Sequence, residues 1–558
     1  MAYVLTQPQV MASAAAQVAA VGTAVRDAGA AAARTTTGLV SAAADEVSNA
    51  IAGLFNAFAE EGQQVISRMA AMHQQFAQSL AAAGEAYTVS EAASVSALTT
   101  PLLGGSGTGG LVTLVMDGSG TPIPPADFVA NVVAKYLEPH FPVGLVQALA
   151  LPAGEFPDSG IKDLTSDVAI ARGVTILNNA IQQQLAAGNA LNIVAYSQSA
   201  NIASLEMQLL DPTGTPSSLP INFVLLGNSM NPNGGWDARF PGLSLPSLGI
   251  TTLGPAPSNS FPTLSYTLEY DGWADFPRYP INVISDLNAL AGMVTVHTTY
   301  DSVTAAQLAS AIVLPTQGPT TTTYYMIPTQ NLPLLDPIRA IPFIGNPLAD
   351  LVQPALKPIV NWGYGDPNFG YSTGPANVPT PFGFLPPLSA TAALGPAILQ
   401  GIPQGIAAAA ADLAQDLSKM GPLQLPSLSL ADLLPATGGV TLPAGAPSVS
   451  DLLLGLEAAN TAVVGSATNA FATAYATLLP TADLATAALV SLPSYDANLF
   501  LDGVLQAVNG QPLQGLVDAF GNPIAANVGL LTLTGGLELT VLVESAETIL
   551  TGTPFPSP

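Results

Sequence analysis

The chain has 558 residues, room for two or three domains, and carries 37 acidic against 11 basic residues for a net charge of −26. With no basic run, that balance excludes nucleic-acid phosphates and charge-driven capture of anionic lipid, and it points to a neutral substrate. The absence of cysteine excludes disulfides and cysteine-based metal or nucleophile chemistry, and fits either a reducing cytoplasm or a disulfide-free exported protein.

The first basic residue is Arg26, so the chain does not open on a signal peptide with a charged n-region. Residues 8–33 and 43–85 are long Ala-rich stretches without internal proline, separated by Thr35 to Thr37, a pattern that predicts an antiparallel helical hairpin. Two helices cannot bury their apolar faces alone, so the hairpin calls for a partner surface. Tyr87 and Glu91 follow it, spaced to share one helix face. The stretch SALTTPLLGGSGTGG, 96–110, reads as a linker.

Residues 111–116 predict a strand running into Gly118, Ser119 and Gly120, whose small side chains let backbone N–H groups approach a substrate oxygen. The apolar run ending at Tyr196 turns straight into a helical pattern, which reads as a nucleophile elbow centred on Ser197, with the backbone N–H of Gln198 as an oxyanion donor. Ala195 and Ser199 stand where such elbows usually carry glycine. The insertion 231–263 offers Trp236 and Phe240 as an apolar wall for an acyl group. A serine hydroxyl needs a base and an orienting carboxylate. Of the three histidines, His73, His140 and His297, only the last follows Ser197, as the serine, acid, histidine order requires. The acid lies in LSYTLEYDGWADFPRYP, 264–280, where Asp275 is favoured by its loop spacing over Asp271 at the strand end.

From about 372 the chain becomes rich in Pro, Ala and Leu and has no further histidine, so it supplies no base. Helices are expected at 404–419 and 450–478, in a packing, lid or surface-interaction region. The nearest approach to an 18-residue apolar span free of Pro, Gly and charge, around 391–411, is broken by Gly395, Pro396, Gly401 and Pro403, and a soluble or peripherally attached product is expected. A mean hydropathy of +0.43 with 9% charged residues nevertheless implies exposed apolar surface, suited to peripheral lipid contact.

The segments VMDGSGTP, ALALPAGEFPDSG, VAYSQSANIASLEM, EYDGWADFPRYPINVISDLNALAG, VHTTYD and NPLADLVQPALKPIVNWGYGDP, in that order, resemble the PE-PPE domain of mycobacterial proteins, itself similar to cutinases and other serine esterases. The first hundred residues resemble the PE domain, with Pro8-Gln9 where that family has Pro-Glu. The resemblance implies an α/β hydrolase, a central mostly parallel sheet flanked by helices, over 111–371, preceded by a PE hairpin over 1–95 and followed by a partly helical region over 372–558. It implies a serine esterase or lipase acting on neutral acyl esters through Ser197, His297 and an aspartate at 271 or 275, with Ser119 and Gln198 as oxyanion donors and no cofactor or metal. For Tyr87 and Glu91 it implies a type VII secretion signal, with a PPE-type protein or secretion chaperone as the hairpin's partner and the cell envelope or medium as destination. An acyltransferase of envelope lipids and a noncatalytic surface protein remain alternatives.

Overall fold

The structure is a computed structural model, which describes residues 109–419 except Lys162, residues 449–552, and eight positions of the first hundred. It divides into two compact units, 1–108 and 109–558. In the first, Thr23, Arg26, Ala30, Ala31, Ala33, Gly53 and Asn56 are helical, on the two stretches expected to form the hairpin.

The second unit is built on a seven-stranded sheet. Its strands are β1 (Leu111–Met116), β2 (Leu145–Ala148), β3 (Ala190–Tyr196), β4 (Ile221–Leu226), β7 (Thr263–Leu268), β8 (Ile312–Val313) and β9 (Thr322–Ile327), in the order β2-β1-β3-β4-β7-β9-β8. All pair in parallel except β8, which runs antiparallel to β9. Two short strands in the insertion, β5 (Ser244–Leu245) and β6 (Ile250–Thr251), form a separate antiparallel pair. The central strands read as continuous apolar runs because both sheet faces are covered. On one face Leu114, Met116, Ile193, Phe223 and Leu225 pack with Leu177, Ile181, Ile202 and Met207. On the other, Val115, Val194, Val224, Tyr266 and Leu268 meet Phe128, Val132, Tyr136 and Tyr300.

The covering helices are α1 (Ala126–Val132), α2 (Ser166–Ala186), α3 (Gln198–Leu210), α4 (Trp236–Arg239), α5 (Val283–Thr295), α6 (Ala305–Ala309), α7 (Asp336–Arg339) and α8 (Gly345–Trp362). This is the expected α/β-hydrolase arrangement, and its parallel register aligns Met116 with Ala195, so the loops leaving β1 and β3 emerge side by side. In open parallel sheets that carboxyl edge is where ligands bind.

The C-terminal region contains α9 (Leu388–Lys419), α10 (Val449–Ala476), α11 (Leu478–Thr486), α12 (Leu492–Val508) and α13 (Pro512–Thr551). Leu484, Ala487, Leu492, Tyr495, Ala525, Ala526 and Leu530 from this region form one buried cluster with Trp236, Phe240, Leu245, Leu248 and Phe276 of the insertion and the acid-bearing loop. Two helical stretches, Ala458–Val508 and Pro512–Thr551, are long and apolar enough to cross a membrane. The second lies beyond the broken run at 391–411 and keeps its helix through Pro523, Gly529 and the Gly535-Gly536 pair, residues on which a sequence count breaks the span. Their inner faces complete the hydrolase core, while Val508, Leu513, Phe520, Leu539 and Leu550 remain exposed.

Candidate functional site

Ser197 sits between the end of β3 and the first residue of α3 with φ 58° and ψ −126°, a backbone conformation that L-residues rarely adopt. That strained conformation, held here by its neighbours, is the one a nucleophile elbow requires. Ala195 is fully buried where β3 pairs with β1. The Ser199 hydroxyl accepts from the Tyr196 amide at 2.9 Å and lies 3.1 Å from the Met116 carbonyl, so the extra hydroxyl closes the turn instead of obstructing it.

His297 opens the 3-10 turn after α5, and its Nε2 lies 2.8 Å from Ser197 Oγ. Its Nδ1 lies 2.8 and 2.9 Å from the two carboxylate oxygens of Asp271. Asp271 is completely buried and also accepts from the Tyr300 hydroxyl at 2.8 Å and the Trp273 amide at 3.1 Å. Gly227, with φ +59°, passes directly beneath this assembly: a Cβ there would stand 2.9 Å from both His297 Cε1 and the Tyr300 ring. The Tyr196 hydroxyl donates to the His297 carbonyl at 2.7 Å and fixes the turn from the serine side.

The expectation of Asp275 as the orienting carboxylate is corrected by this geometry. Asp275 points away, accepting from the Tyr270 amide at 3.1 Å, in the company of the buried Arg239. Burial pushes its carboxyl well above the ordinary carboxylate range, against the pull of the Tyr270 amide and Arg239. The reason is the turn: Asp271 caps it, its carboxylate taking the Trp273 amide, and this swings the next four residues away from the histidine. The backbone of Asp275 in turn donates to the Asp271 carbonyl at 2.6 Å.

Gly118 lies against Ser197, a Cβ at that position standing 2.9 Å from Ser197 Cβ. Ser119 follows it, and its hydroxyl is hydrogen-bonded to Glu155, a partner that no spacing rule in the sequence could find. Gln198 is buried, its side chain donating to the Gly154 carbonyl at 2.8 Å, which leaves its backbone N–H next to the serine. His140 lies elsewhere, 2.8 Å from the Tyr266 hydroxyl. His73, Tyr87 and Glu91 fall outside the described residues.

Ser197 and His297 open on a cavity of about 690 Å³. One wall is acidic and polar, with Asp117, Glu155, Asp158 and Asp301; burial raises the Asp117 carboxyl to about 6 and that of Glu155 to about 7. Apolar lining comes from Trp236, Trp273, Leu290 and Met293 together with Leu484, Leu492, Leu530, Leu533 and Leu537 of the C-terminal helices. Trp236 therefore serves as the wall expected of the insertion, whereas Phe240 packs behind it in the core at a ring separation of 5.9 Å.

The family models for the PE family and the PE-PPE domain match residues 4–94 and 142–365. The chain is 48% identical over 441 residues to the uncharacterized PPE family protein PPE28 of Mycobacterium tuberculosis, covering 78% of this chain and 66% of that relative, just under two thirds of its length. It is 43% identical to the esterase PE16 of the same organism, over 71% of this chain and 76% of the relative, and 40% identical to the PE family protein PE3, over 72% and 87%. No solved structure matches. By both family models and by relatives aligned over most of their length, the chain belongs to the mycobacterial PE family and carries a PE-PPE domain.

Proposed function

We propose that the chain is a serine ester hydrolase acting on neutral acyl esters through Ser197, His297 and Asp271. The observation that carries the reading is the continuous hydrogen-bond chain from Ser197 Oγ through both imidazole nitrogens to a buried carboxylate, at a strained elbow. The relative named an esterase supports it.

In this reading Ser197 Oγ attacks the ester carbonyl as His297 Nε2 takes its proton, and Asp271 steadies the imidazolium. The Gln198 N–H and the Ser119 hydroxyl face the developing oxyanion. As the tetrahedral intermediate collapses, His297 returns the proton to the leaving alkoxide and an acyl-enzyme remains. His297 then deprotonates water, which attacks the acyl carbon and releases the acid and free Ser197. The apolar wall shared by Trp236, Leu290, Leu530 and Leu537 suits a hydrocarbon acyl chain. The polar wall with Asp117, Thr298 and Asp301 favours a second reading, transfer of the acyl group to a hydroxyl-bearing acceptor that these groups would hold.

A fluorophosphonate probe should label the wild type and not Ser197→Ala, and the wild type should hydrolyse p-nitrophenyl esters without added metal. Equal labelling of both proteins would sink the proposal. Product analysis with and without an alcohol acceptor separates hydrolysis from transfer. The hairpin is proposed as the address for type VII export, docking on a PPE-type protein or secretion chaperone, with the cell envelope or medium as destination. Tyr87→Ala and deletion of 1–95 should each abolish export from a mycobacterial host; normal export of either would refute that role.

A further inference from the structure

The loop 153–155 touches both candidate oxyanion donors. The Ala153 carbonyl accepts from Gly120 N at 2.7 Å, the Gly154 carbonyl accepts from the Gln198 side chain at 2.8 Å, and the Glu155 carboxyl is hydrogen-bonded to Ser119 Oγ. The loop is itself held, with Glu155 N donating to Ser159 Oγ at 2.6 Å and Phe156 N to the Leu164 carbonyl at 2.8 Å. A serine hydroxyl has one proton to donate. If Glu155 is a carboxylate, it accepts that proton, and none is left for a substrate oxyanion. If Glu155 is a carboxylic acid, it donates to Ser119 Oγ, and the hydroxyl proton is free to turn toward the reacting carbonyl.

Resting on the hydrolase reading above, we propose that Glu155 is a positioning residue that sets the oxyanion hole: as an acid it aims the Ser119 hydroxyl at the substrate, and as a carboxylate it withdraws it. The groups that face Glu155 decide when this happens. Burial holds the proton on most strongly and the negative charges of Asp158 and Asp237 do the same, while the Ser119 hydrogen bond and His297 favour ionisation; Glu544 of α13, near Asp158, is itself raised to about 7 by burial. Tyr196 is close enough to feel the same carboxyl but stays neutral. Glu155 remains partly open to water through the cavity, yet the surrounding protein dominates and raises its carboxyl to about 7. The hole is therefore set below that pH and lost as pH rises through it. His297 must be neutral to act as base, and this requirement works in the opposite direction.

The test is the pH profile of kcat for the full chain on p-nitrophenyl butyrate, with product quantified chromatographically. In the wild type, kcat should fall as pH rises through about 7, the range of the Glu155 carboxyl. Glu155→Gln carries a permanent donor, so it should keep most of the acid-side kcat and lose the fall. Glu155→Ala should lower kcat about tenfold on the acid side and abolish the fall, with KM little changed, since a misaimed donor is lost from the transition state. Ser119→Ala should cost roughly 10²-fold and make Glu155→Gln silent when the two are combined. A fall that persists at the same midpoint in Glu155→Gln, a Glu155→Ala effect confined to KM, or additive behaviour in the double variant would overturn the proposal. Fluorophosphonate labelling of each variant confirms that the fold and Ser197 are intact. If no Ser197-dependent turnover exists at all, the hydrolase reading itself fails. The infrared carboxyl band obtained as wild type minus Glu155→Gln still reports the contact: it should titrate near 7 and shift in Ser119→Ala, and a band indifferent to Ser119 refutes it.

Discussion

Replacing each aspartate of the acid loop by asparagine separates orientation of the base from folding of the loop. In Asp271, one oxygen accepts from the Trp273 amide at 3.1 Å and the other from the Tyr300 hydroxyl at 2.8 Å, while both lie within 2.9 Å of His297 Nδ1. The Trp273 amide can only donate, so an asparagine must keep its oxygen there and turn its NH2 toward Tyr300 and His297. The NH2, at the position 2.9 Å from Nδ1, then competes for the imidazole with that oxygen, 2.8 Å away: wherever Nδ1 accepts from the NH2 its proton sits on Nε2 and the serine proton cannot be taken, and in either case the carboxylate charge that balanced the imidazolium is gone. A wrong-tautomer base costs about 10⁴-fold in kcat, ~5 kcal/mol of barrier. Asp275→Asn can keep the Tyr270 contact and lose only the attraction of Arg239 for a carboxyl already pushed toward its neutral form, so its kcat should stay within about tenfold of the wild type. The assay is ester turnover per active site, with sites counted by fluorophosphonate burst so that misfolded protein drops out. A loss near 10³-fold or more in Asp275→Asn beside a mild Asp271→Asn would refute the assignment.

Gly118→Ala should place a methyl group against Ser197 Cβ and the Tyr196 ring; displacing the nucleophile by even part of an ångström is expected to cost about 10²-fold in kcat/KM with little change in melting temperature. Leu530→Ala, in the cluster that joins α13 to the insertion, should lower stability by about 2–5 kcal/mol in denaturant unfolding, and an effect below about 1 kcal/mol would mean that α13 does not pack there. A chain ending at residue 371 should be poorly soluble and bind a hydrophobic dye strongly, because Trp236, Phe240 and Phe276 lose their cover; a soluble fragment with full activity would show the C-terminal helices to be dispensable.

The order of strand, strained turn at Ser197 and the histidine that meets it was legible because each is a local pattern. The apolar run before Ser197, the glycine loop after β1 and the scarcity of histidine each confine the choice to one place, and parallel pairing does the rest. The PE and PE-PPE resemblance was legible for the same reason, as ordered short motifs. The acid was not, because Asp271 and Asp275 lie four residues apart in one turn and differ only in the direction in which that turn sends them, which the Trp273 amide and the Tyr300 hydroxyl decide. Glu155 was hidden because its partner Ser119 is 36 residues away, on another loop. The role of the last hundred residues was hidden too: their helices read from sequence as apolar and proline-broken, and only packing shows which stripe faces Trp236 and Phe240 and which stays in the open. Local chemistry specifies which groups can react, but contact across the fold selects which of them meet, since burial and hydrogen-bond direction depend on residues distant in the chain.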